Sequence, residues 1–226
     1  MCTTAMNVAP LPRHISLEQG SMMLVNPMTA MAFILMAREE KHKAMVNNAA
    51  ASSLGKMLIR LCDLYGIPLI SIVRKEEHLQ ELTQAGADHV LNSQSPDFAT
   101  DLKKLAKQLE ATLFLDAVTG SQTTVLLNAA PAGTKLVAYA RLSGENIAAD
   151  PVDLITEDKR IVGFQLGNWL HQQSLLSKLL FLRRVKKHLA RELISTIRYR
   201  TPLQEVEAAL EDYQRNMSEG KIILKP

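Results

Sequence analysis

Residues 45–75 read MVNNAAASSLGKMLIRLCDLYGIPLISIVRK, and this stretch decides the fold. Residues 45–47 form a short apolar segment, which we interpret as a strand. Residues 52–65 repeat apolar side chains at helical spacing, and Gly66 ends that helix. Residues 69–73 are rich in branched side chains and predict a second strand. The stretch is therefore a strand–turn–helix–strand unit, the building block of a parallel α/β sheet.

The same alternation of strands and helices continues to residue 165. Further strands are predicted at 89–91, 112–115, 135–139 and 160–165, and helices at 76–84, 97–109, 123–130 and 151–155. Near-continuous apolar strands separated by amphipathic helices indicate a parallel sheet that is covered on both faces. Right-handed crossovers then predict an α/β fold with a doubly wound, parallel, six-stranded Rossmann sheet.

The first strand-to-helix turn lies where a doubly wound sheet binds its ligand. It reads NNAAASSLG at 47–55, so small residues stand where a phosphate-binding turn needs close approach of the backbone. A helix N-terminus offers free N–H groups and a partial positive charge to a pyrophosphate, and Ser52 and Ser53 add hydroxyl donors. Only Gly55 remains of the G-x-G-x-x-G pattern. The alternative is therefore a serine-capped helix with tight alanine packing.

The end of the second strand indicates the type of cofactor. An NAD site usually has an acidic residue there, which accepts hydrogen bonds from the ribose hydroxyl groups. This chain has Arg74 and Lys75 instead. Two cations suit the 2′-phosphate of NADP(H), and they argue against a Rossmann-type methyltransferase, which also needs an acid for the ribose. The alternative is a solvated helix start, because Glu76 and Glu77 follow directly.

Composition narrows the class of protein without naming a partner. The 226 residues are 47% hydrophobic and 22% charged, with a net charge of +3. No apolar run reaches the roughly 18 residues that a membrane span requires. Cys2 and Cys62 lie far apart, and Cys62 is predicted to be a buried free thiol, which fits a cytoplasmic location. No histidine has the spacing of a Cys/His zinc site, so no metal site is expected.

Several segments occur in the same order as in a known family. They are SLEQG at 16–20, VNPMTA at 25–30, AAASSLG at 49–55, AGADHV at 85–90, DAVTG at 116–120, YARLSGE at 139–145, GFQL at 163–166 and GKIILKP at 220–226. Together they resemble the medium-chain dehydrogenase/reductase superfamily, in its zinc-independent quinone oxidoreductase and enoyl thioester reductase branch. Compared with that branch, Ser52 and Ser53 replace glycines, Ala140 replaces a glycine and Gln165 replaces a tryptophan. The last two changes affect the expected substrate pocket more than the cofactor site.

The resemblance implies an NADP(H) site. Asn26 and Thr29 would lie beside the nicotinamide, and Val118 would also belong to the site. The other implied residues are Ala50, Ala51, Ser52, Ser53 and Leu54 at the pyrophosphate, Ser71, Arg74 and Lys75 around the 2′-phosphate, and Tyr139, Ala140, Leu142, Phe164 and Leu166 around the nicotinamide. No catalytic residue is expected in this chain, because the family places its proton donor in an N-terminal catalytic domain that precedes the hinge.

The resemblance also implies a division into domains. Residues 1–24 would be a hinge remnant of the catalytic domain, residues 25–192 the NADP-binding Rossmann domain, and residues 193–226 a small C-terminal α+β remnant of the catalytic domain. In this last part, strands are predicted at 194–197 and 222–224. A capping box at 201–204, with Pro202 as the first helical residue, predicts a helix to about residue 216. We expect these strands to pair with each other, to cover themselves against the Rossmann domain, or to be buried in an oligomer.

The expected function is that of the NADP(H)-binding domain of an oxidoreductase that reduces a conjugated carbonyl, either an enoyl thioester or a quinone. Such a domain would be weakly active or inactive in isolation. The alternative is a non-catalytic nucleotide-binding or sensing module that acts through a partner. In the family, the last sheet strand pairs with its counterpart in a second subunit, so a homodimer through residues 160–165 is expected. No nucleic acid or membrane is expected as a partner.

A basic segment at 178–200 contains eight Lys or Arg residues and one acid, Glu192. The simplest interpretation is a surface helix with an apolar inner face and a basic outer face. A second interpretation is attraction of an anionic substrate carrier, such as a coenzyme A or acyl-carrier phosphate, which would favour an enoyl thioester. Nucleic-acid binding is a third interpretation, but no aromatic interleaving or known motif supports it.

Overall fold

The computed structural model describes residues 10–226, so residues 1–9 of the predicted hinge region, Cys2 among them, lie outside the described part. Its main sheet has the strand order β3-β2-β1-β4-β5-β6, and each neighbouring pair is parallel. The strands are β1 (Ala44–Asn47), β2 (Leu69–Val73), β3 (His89–Asn92), β4 (Ala111–Asp116), β5 (Lys135–Ala138) and β6 (Arg160–Gly163). The predicted doubly wound Rossmann sheet is confirmed, and its strand order reverses between β1 and β4.

Helices cover both faces of this sheet. In chain order, the helices before the C-terminal segment are α1 (Leu17–Ser21), α2 (Val25–Glu39), α3 (Ser53–Tyr65), α4 (Glu76–Gln84), α5 (Phe98–Gln108), α6 (Ser121–Ala129), α7 (Pro151–Thr156), α8 (Leu166–Gln172) and α9 (Leu175–His188), and α1 lies apart from the sheet. Alternate side chains of each strand point to opposite faces. Met45 therefore joins the core beneath α2, α3 and α9, whereas Ala44 and Val46 join the core beneath α5 and α6.

Helix α2 is the longest helix of the described residues, and the periodicity of the sequence does not reveal it. Its residues 27–37 are all buried, so apolar side chains lie on every face and no amphipathic stripe marks the helix. It packs against α3 and contacts α8 and α9. Phe33, in its middle, has no exposed surface. The segment at 25–30 that resembles the family hinge is thus the first part of a core helix.

The turn between β1 and α3 is closely packed. A Cβ atom on Gly55 would overlap the carbonyl oxygens of Ala49 and Ala50, so only glycine lets the helix start this near to the turn. Ser52 caps the helix, because its hydroxyl oxygen accepts the Gly55 N–H at 3.0 Å. Gly66 ends the helix in the left-handed conformation, with φ of 64°. Both predicted ends of this helix are confirmed.

The C-terminal segment forms a second, two-stranded parallel sheet. It consists of β7 (Ile197–Pro202), a short 3-10 helix (Leu203–Glu205), α10 (Val206–Arg215) and β8 (Lys221–Lys225). The first strand begins at Ile197 and not at residue 194, so its predicted position is wrong. The two strands pair with each other, which is one of the three expected outcomes. The predicted helix start at 201–204 is wrong. Thr201 and Pro202 end β7, because Thr201 is buried in the ladder opposite Leu224, and its hydroxyl group bonds to the Glu205 carboxylate.

Helix α1 attaches the N-terminal part of the chain to this small sheet. The Glu18 carboxylate accepts two hydrogen bonds from Arg200, both of 2.7 Å, and it lies 3.1 Å from the Lys225 Nζ. Hydrogen bonds from Arg200 and then Lys225 lower the pKa of Glu18 to about 2. Gln19 exchanges two hydrogen bonds with the main chain of Ser195. Residues from the two ends of the described chain thus meet in one place.

Helix α9 differs from the simplest interpretation of the basic segment. Phe181, Val185 and His188 face the core, whereas the leucines at 175, 176, 179 and 180 are exposed. The apolar inner face is therefore narrower than predicted, and four leucines lie on the outer side. Among residues 10–226, no helix is long and apolar enough to cross a bilayer.

We predict that Gly55→Ala destabilises the chain by about 1–3 kcal/mol, because the new Cβ atom pushes α3 away from the turn. Urea unfolding followed by circular dichroism measures the loss. Gly163→Ala is the matched control, since no atom lies within 4 Å of the added Cβ, and it should change stability by less than about 0.5 kcal/mol. Equal midpoints for the two variants would contradict the role of Gly55.

Candidate functional site

Four loops meet at the carboxyl edge of the sheet. They follow β1 (48–52), β2 (74–75), β4 (117–120) and β5 (139–150), and β1 and β4 are adjacent at the point where the strand order reverses. Doubly wound sheets bind their ligands in the crevice at this position. The structure therefore brings the predicted pyrophosphate turn to the same edge as the loops that were predicted to frame a nicotinamide.

The first turn of α3 offers unused main-chain donors. The N–H groups of Ser53 and Leu54 donate to no acceptor within the described residues. Ser52 uses its hydroxyl oxygen to cap the helix, which leaves its hydroxyl proton free to donate. The Ala50 N–H is bonded to the Ile72 carbonyl oxygen at 3.2 Å, so the turn is held against β2. This arrangement suits an anion at the helix N-terminus.

A buried carboxylate organises the crevice. Asp116, at the end of β4, has no exposed surface. Its Oδ1 accepts hydrogen bonds from the Asn48 side chain at 2.6 Å and from the main-chain N–H groups of Val118 and Thr119 at 3.0 and 2.8 Å. Its Oδ2 accepts the hydroxyl of Thr123, on α6, at 2.6 Å. The side-chain Oδ1 of Asn48 in turn accepts the Ala117 N–H at 2.8 Å. The loops after β1 and β4 are therefore fixed to each other.

An aromatic cluster lies beside this network. The ring of Tyr139 packs edge-on against Phe33 of α2, with centroids 5.2 Å apart, and Phe33 also contacts Phe164 at 4.8 Å. The Tyr139 hydroxyl donates to the Asn47 side-chain oxygen at 3.1 Å. Burial, and to a lesser extent the Asp116 carboxylate, raise the pKa of Tyr139 above its usual range, so the phenol stays protonated and can donate. Thr29, one helical turn before Phe33, is buried near this cluster.

The loop after β5 is held over the start of α6. Thr119 has a φ of 66°, a left-handed conformation that is unfavourable for a branched residue. Its hydroxyl donates to the Val118 carbonyl oxygen at 2.6 Å and lies 3.3 Å from both the Ser143 hydroxyl and the Glu145 carbonyl oxygen. The Glu145 carboxylate accepts the Ser121 N–H at 3.3 Å. These contacts hold the loop in place at the cost of a strained residue.

The two cations after β2 differ in their surroundings. Both are exposed. Lys75 pairs with Glu77 at 3.1 Å, whereas Arg74 makes no ion pair or hydrogen bond in the described part of the chain. Glu76, the first acid after them, accepts a hydrogen bond from Asn92 at 2.9 Å. Arg74 is therefore the cation that is free to bind an anion.

The remaining predicted residues have different degrees of exposure. Ser71 is fully buried, and its hydroxyl has no hydrogen-bond partner. It lines a cavity of about 280 Å³ near Cys62, toward the start of β2 and β3. Ala50 and Leu54 are buried, whereas Ala140 and Leu142 are exposed. The partly buried residues are Asn26, Ala51, Ser52, Ser53, Val118, Phe164 and Leu166.

Sequence reasoning did not identify the polar network. Asn48, Asp116 and Thr123 carry it, and the signal that could have revealed Asp116 is an acid at the end of an otherwise apolar strand. Asn47 was also missed as the partner of Tyr139, and its side-chain nitrogen is buried without a hydrogen-bond acceptor.

Residues 53–180 match the zinc-binding dehydrogenase family. Within the described range, no group of three or more His, Cys, Asp or Glu side chains is arranged to hold a metal ion. The chain is 26% identical to the mitochondrial enoyl-[acyl-carrier-protein] reductase of Homo sapiens over 227 residues, which cover 95% of the chain and 59% of that enzyme. The chain spans about half the length of the curated relatives it matches.

Solved structures share the fold. A putative NADPH:quinone reductase from Mesorhizobium loti has a TM-score of 0.88 and 33% identity, over 96% of this chain and 63% of that one. The mitochondrial 2-enoyl thioester reductase Etr1p/Etr2p heterodimer from Candida tropicalis has a TM-score of 0.75 and 20% identity, over 96% and 63%. A complex of Etr1p with NADP and crotonyl-CoA has the same TM-score and identity, over 94% and 62%.

We predict that Thr119→Gly is more stable than Thr119→Ala, by about 1 kcal/mol. Both substitutions remove the hydroxyl bonds, but only glycine adopts the left-handed conformation without steric cost. Urea unfolding gives the free energy of unfolding of each variant. Because both variants lack the hydroxyl group, the difference between them measures the cost of the left-handed backbone conformation. An alanine variant as stable as the glycine variant would show that the backbone at residue 119 is not strained.

Proposed function

The chain belongs to the zinc-binding dehydrogenase family, in the zinc-independent branch of the medium-chain dehydrogenase/reductases, and we propose that it is the NADP(H)-binding domain of an oxidoreductase that reduces a conjugated carbonyl. One observation carries the proposal. The N–H donors at the start of α3 and the Arg74 side chain, which have no partner among residues 10–226, lie at the same edge of the sheet. A dinucleotide with an extra phosphate needs both kinds of group.

The residues present fit NADP(H). The Ser53 and Leu54 N–H groups, with the Ser52 hydroxyl, would bind the pyrophosphate, because a helix N-terminus stabilises negative charge. Gly55 lets α3 approach the turn that holds these donors. Arg74 would bind the 2′-phosphate through its guanidinium, assisted by Lys75. A contact between Ser71 and the 2′-phosphate stays a prediction, because the Ser71 side chain is fully buried and lines the cavity at the start of β2.

The nicotinamide end would be framed by the aromatic cluster and the two loops. When bound, NADPH supplies the hydride, and the protein supplies placement. Tyr139, Phe164 and Leu166 would provide the apolar side of the pocket, with Thr29 and Asn26 from α2 and Val118 from the loop after β4. Ala140 and Leu142 would lie at its exposed rim, because the Thr119 contacts position the loop that carries them.

The chain is proposed to divide at residues 24 and 192, into a hinge remnant (1–24), the Rossmann domain (25–192) and the C-terminal part of a catalytic domain (193–226). Two observations support this division. The sheet and most residues of its two cores lie between α2 and α9, although Ile15 and Leu193 also join the first core. Glu18 and Gln19 bond to Ser195, Arg200 and Lys225, so residues before and after the Rossmann domain form one unit.

The substrate is proposed to be an enoyl thioester or a quinone, the classes that appear in the names of the relatives. No described residue is assigned as the proton donor, so weak or no activity is expected from this chain alone. A cytoplasmic location stays a prediction, and the curated relatives are named mitochondrial enzymes.

Titration calorimetry with NADPH and with NADH tests the cofactor proposal. We expect NADPH to bind more tightly, and Arg74→Ala to weaken NADPH binding at least about tenfold, because a charge-assisted hydrogen bond to the 2′-phosphate is lost. NADH binding should hardly change, since NADH has no 2′-phosphate. Arg215→Ala is the control, because Arg215 is an exposed arginine on α10, outside the Rossmann domain, and is paired only with Glu211 at 3.6 Å.

Two outcomes would contradict the proposal. Equal weakening of NADPH and NADH by Arg74→Ala would make Arg74 a structural residue. No binding of either nucleotide to the folded chain would favour the alternative, a module that acts through a partner.

A homodimer through β6 is also proposed. β6 is an edge strand, and α7, which leads into it, exposes Val152, Leu154 and Ile155. Arg160 and Phe164 donate their N–H groups toward β5, to the carbonyl oxygens of Thr134 and Ala138. The alternation along the strand therefore directs the Ile161 N–H to the open edge. Ile161→Pro should therefore convert a dimer to a monomer without breaking the β5–β6 pairing. Light scattering at tens of micromolar measures this change, and a monomeric wild type would contradict the proposal.

A further inference from the structure

Helix α9 presents a surface that the proposed nucleotide site does not use. We define the α9 outward face as Leu175, Leu176, Leu179, Leu180, Arg183, Arg184 and Lys187. The four leucines are 75%, 68%, 57% and 47% exposed, and the three cations are exposed as well. Phe181, Val185 and His188 face the core. Leu176, Leu179, Arg183 and Lys187 lie on the opposite side of the helix, and Leu175, Leu180 and Arg184 lie on its flanks.

The cations of this face are not neutralised by the chain itself. In residues 10–226, Arg183, Arg184 and Lys187 take part in no ion pair or hydrogen bond. Glu192 is the only acid between residues 174 and 196, and it accepts a hydrogen bond from His188 at 2.8 Å. The face therefore combines a positive charge with apolar side chains and contains no acid.

The order of these residues along the helix restricts the partner. The leucines occupy the first half of the face and the cations the second half, so the two types follow one another along the axis. A helix that lies in a membrane interface needs an apolar strip along its whole length, with cations at the flanks. A single-stranded nucleic acid that stacks its bases needs aromatic side chains among the cations, and the face has none. Binding to phosphates alone would not use the four leucines. An acidic protein with apolar side chains next to its carboxylates matches both halves.

We propose that the α9 outward face docks an acidic carrier protein. Arg183, Arg184 and Lys187 pair with carboxylates of the carrier, and the leucines cover its apolar side chains. The choice of a carrier rests on the proposed function in its enoyl thioester form, since such a thioester can be presented on a protein. The docking itself requires neither NADPH nor catalysis.

A chain of aromatic contacts connects this face to the nucleotide site. Phe181, on the inner side of α9, packs against Trp169 with centroids 5.1 Å apart, and Trp169 contacts Phe164 at 6.4 Å. Phe164 belongs to the cluster of Phe33 and Tyr139. A carrier bound on the outer side of α9 would thus be seated on an element that packs directly against the proposed nicotinamide pocket.

The test uses an acyl-carrier protein with its phosphopantetheine arm, titrated into the full chain at low salt without NADPH. We expect the combined change Arg183→Glu, Arg184→Glu and Lys187→Glu to weaken binding more than tenfold, because three attractive contacts become repulsive. Leu176→Gln with Leu180→Gln should weaken it several-fold with little change in salt dependence. The carrier protein without its arm should bind as well as the form that has the arm, because the face recognises the protein.

Matched controls distinguish an effect of the α9 outward face from an effect of the net charge or of the number of exposed leucines. Lys103, Lys104 and Lys107 on α5 are exposed and unpaired within the described residues, and changing all three to Glu alters the net charge by the same amount. Leu17→Gln with Leu64→Gln removes two exposed leucines elsewhere. Both controls should leave carrier binding within twofold of wild type.

Four results would overturn the proposal. The first is no carrier binding, and the second is equal weakening by the α5 control, which would indicate a non-specific charge effect. The third is that free coenzyme A displaces the carrier, which would indicate a phosphate site. The fourth is that vesicles containing phosphatidylglycerol bind the wild type but not the triple Glu variant, which would indicate a lipid surface. The carrier titrations contain no NADPH, so a chain that fails to bind NADPH would give the same carrier results. The cofactor proposal and the docking proposal can therefore be refuted independently.

Discussion

The buried carboxylate of Asp116 is the group on which the arrangement of the site depends. A charge without exposed surface is tolerated inside a protein only when its hydrogen-bonding capacity is satisfied. Asp116 meets this condition with four bonds, to the Asn48 side chain, to two main-chain N–H groups of its own loop and to Thr123 of α6. These partners belong to three different elements. The position of each loop relative to the others is consequently set by one side chain at the point where the strand order reverses.

Two residues beside this network hold the backbone with a hydroxyl group. Ser52 stands at a glycine position of the motif that the turn resembles, and its hydroxyl oxygen caps α3. Thr119 has the left-handed conformation that glycine adopts most easily, and its hydroxyl contacts the loop after β5. In each case the side chain forms a local bond that glycine cannot form, worth about 1 kcal/mol. The hydroxyl groups thus connect the turn to α3 and the loop after β4 to the loop after β5.

The sequence predicts the Rossmann sheet well because each of its signals is local. Apolar strands alternate with amphipathic helices, Ser52 and Gly66 mark the ends of α3, and Arg74 follows the second strand. Helix α2 escapes this approach, because it is apolar on every face and therefore has no helical stripe. The helix start expected at Thr201 fails for a different reason, since pairing of β7 with β8 buries that residue. The Asp116 network joins residues that are far apart in sequence, and only the folded topology brings them together.

Helices α2 and α9 contribute to the aromatic cluster of the candidate site through buried side chains, although neither helix directly follows one of the four loops at the carboxyl edge. Phe33 of α2 lies under Tyr139 and Phe164, and Phe181 of α9 reaches the same rings through Trp169. Close-packed rings transmit a displacement because the interior has little free space to absorb it. The inner side of α9 is therefore constrained by the aromatic cluster. Its outer side lacks such packing among the described residues, and it carries exposed leucines and cations without a partner there. A helix of this kind can vary its outer side chains without disturbing the nucleotide site, which suits a surface that selects a partner.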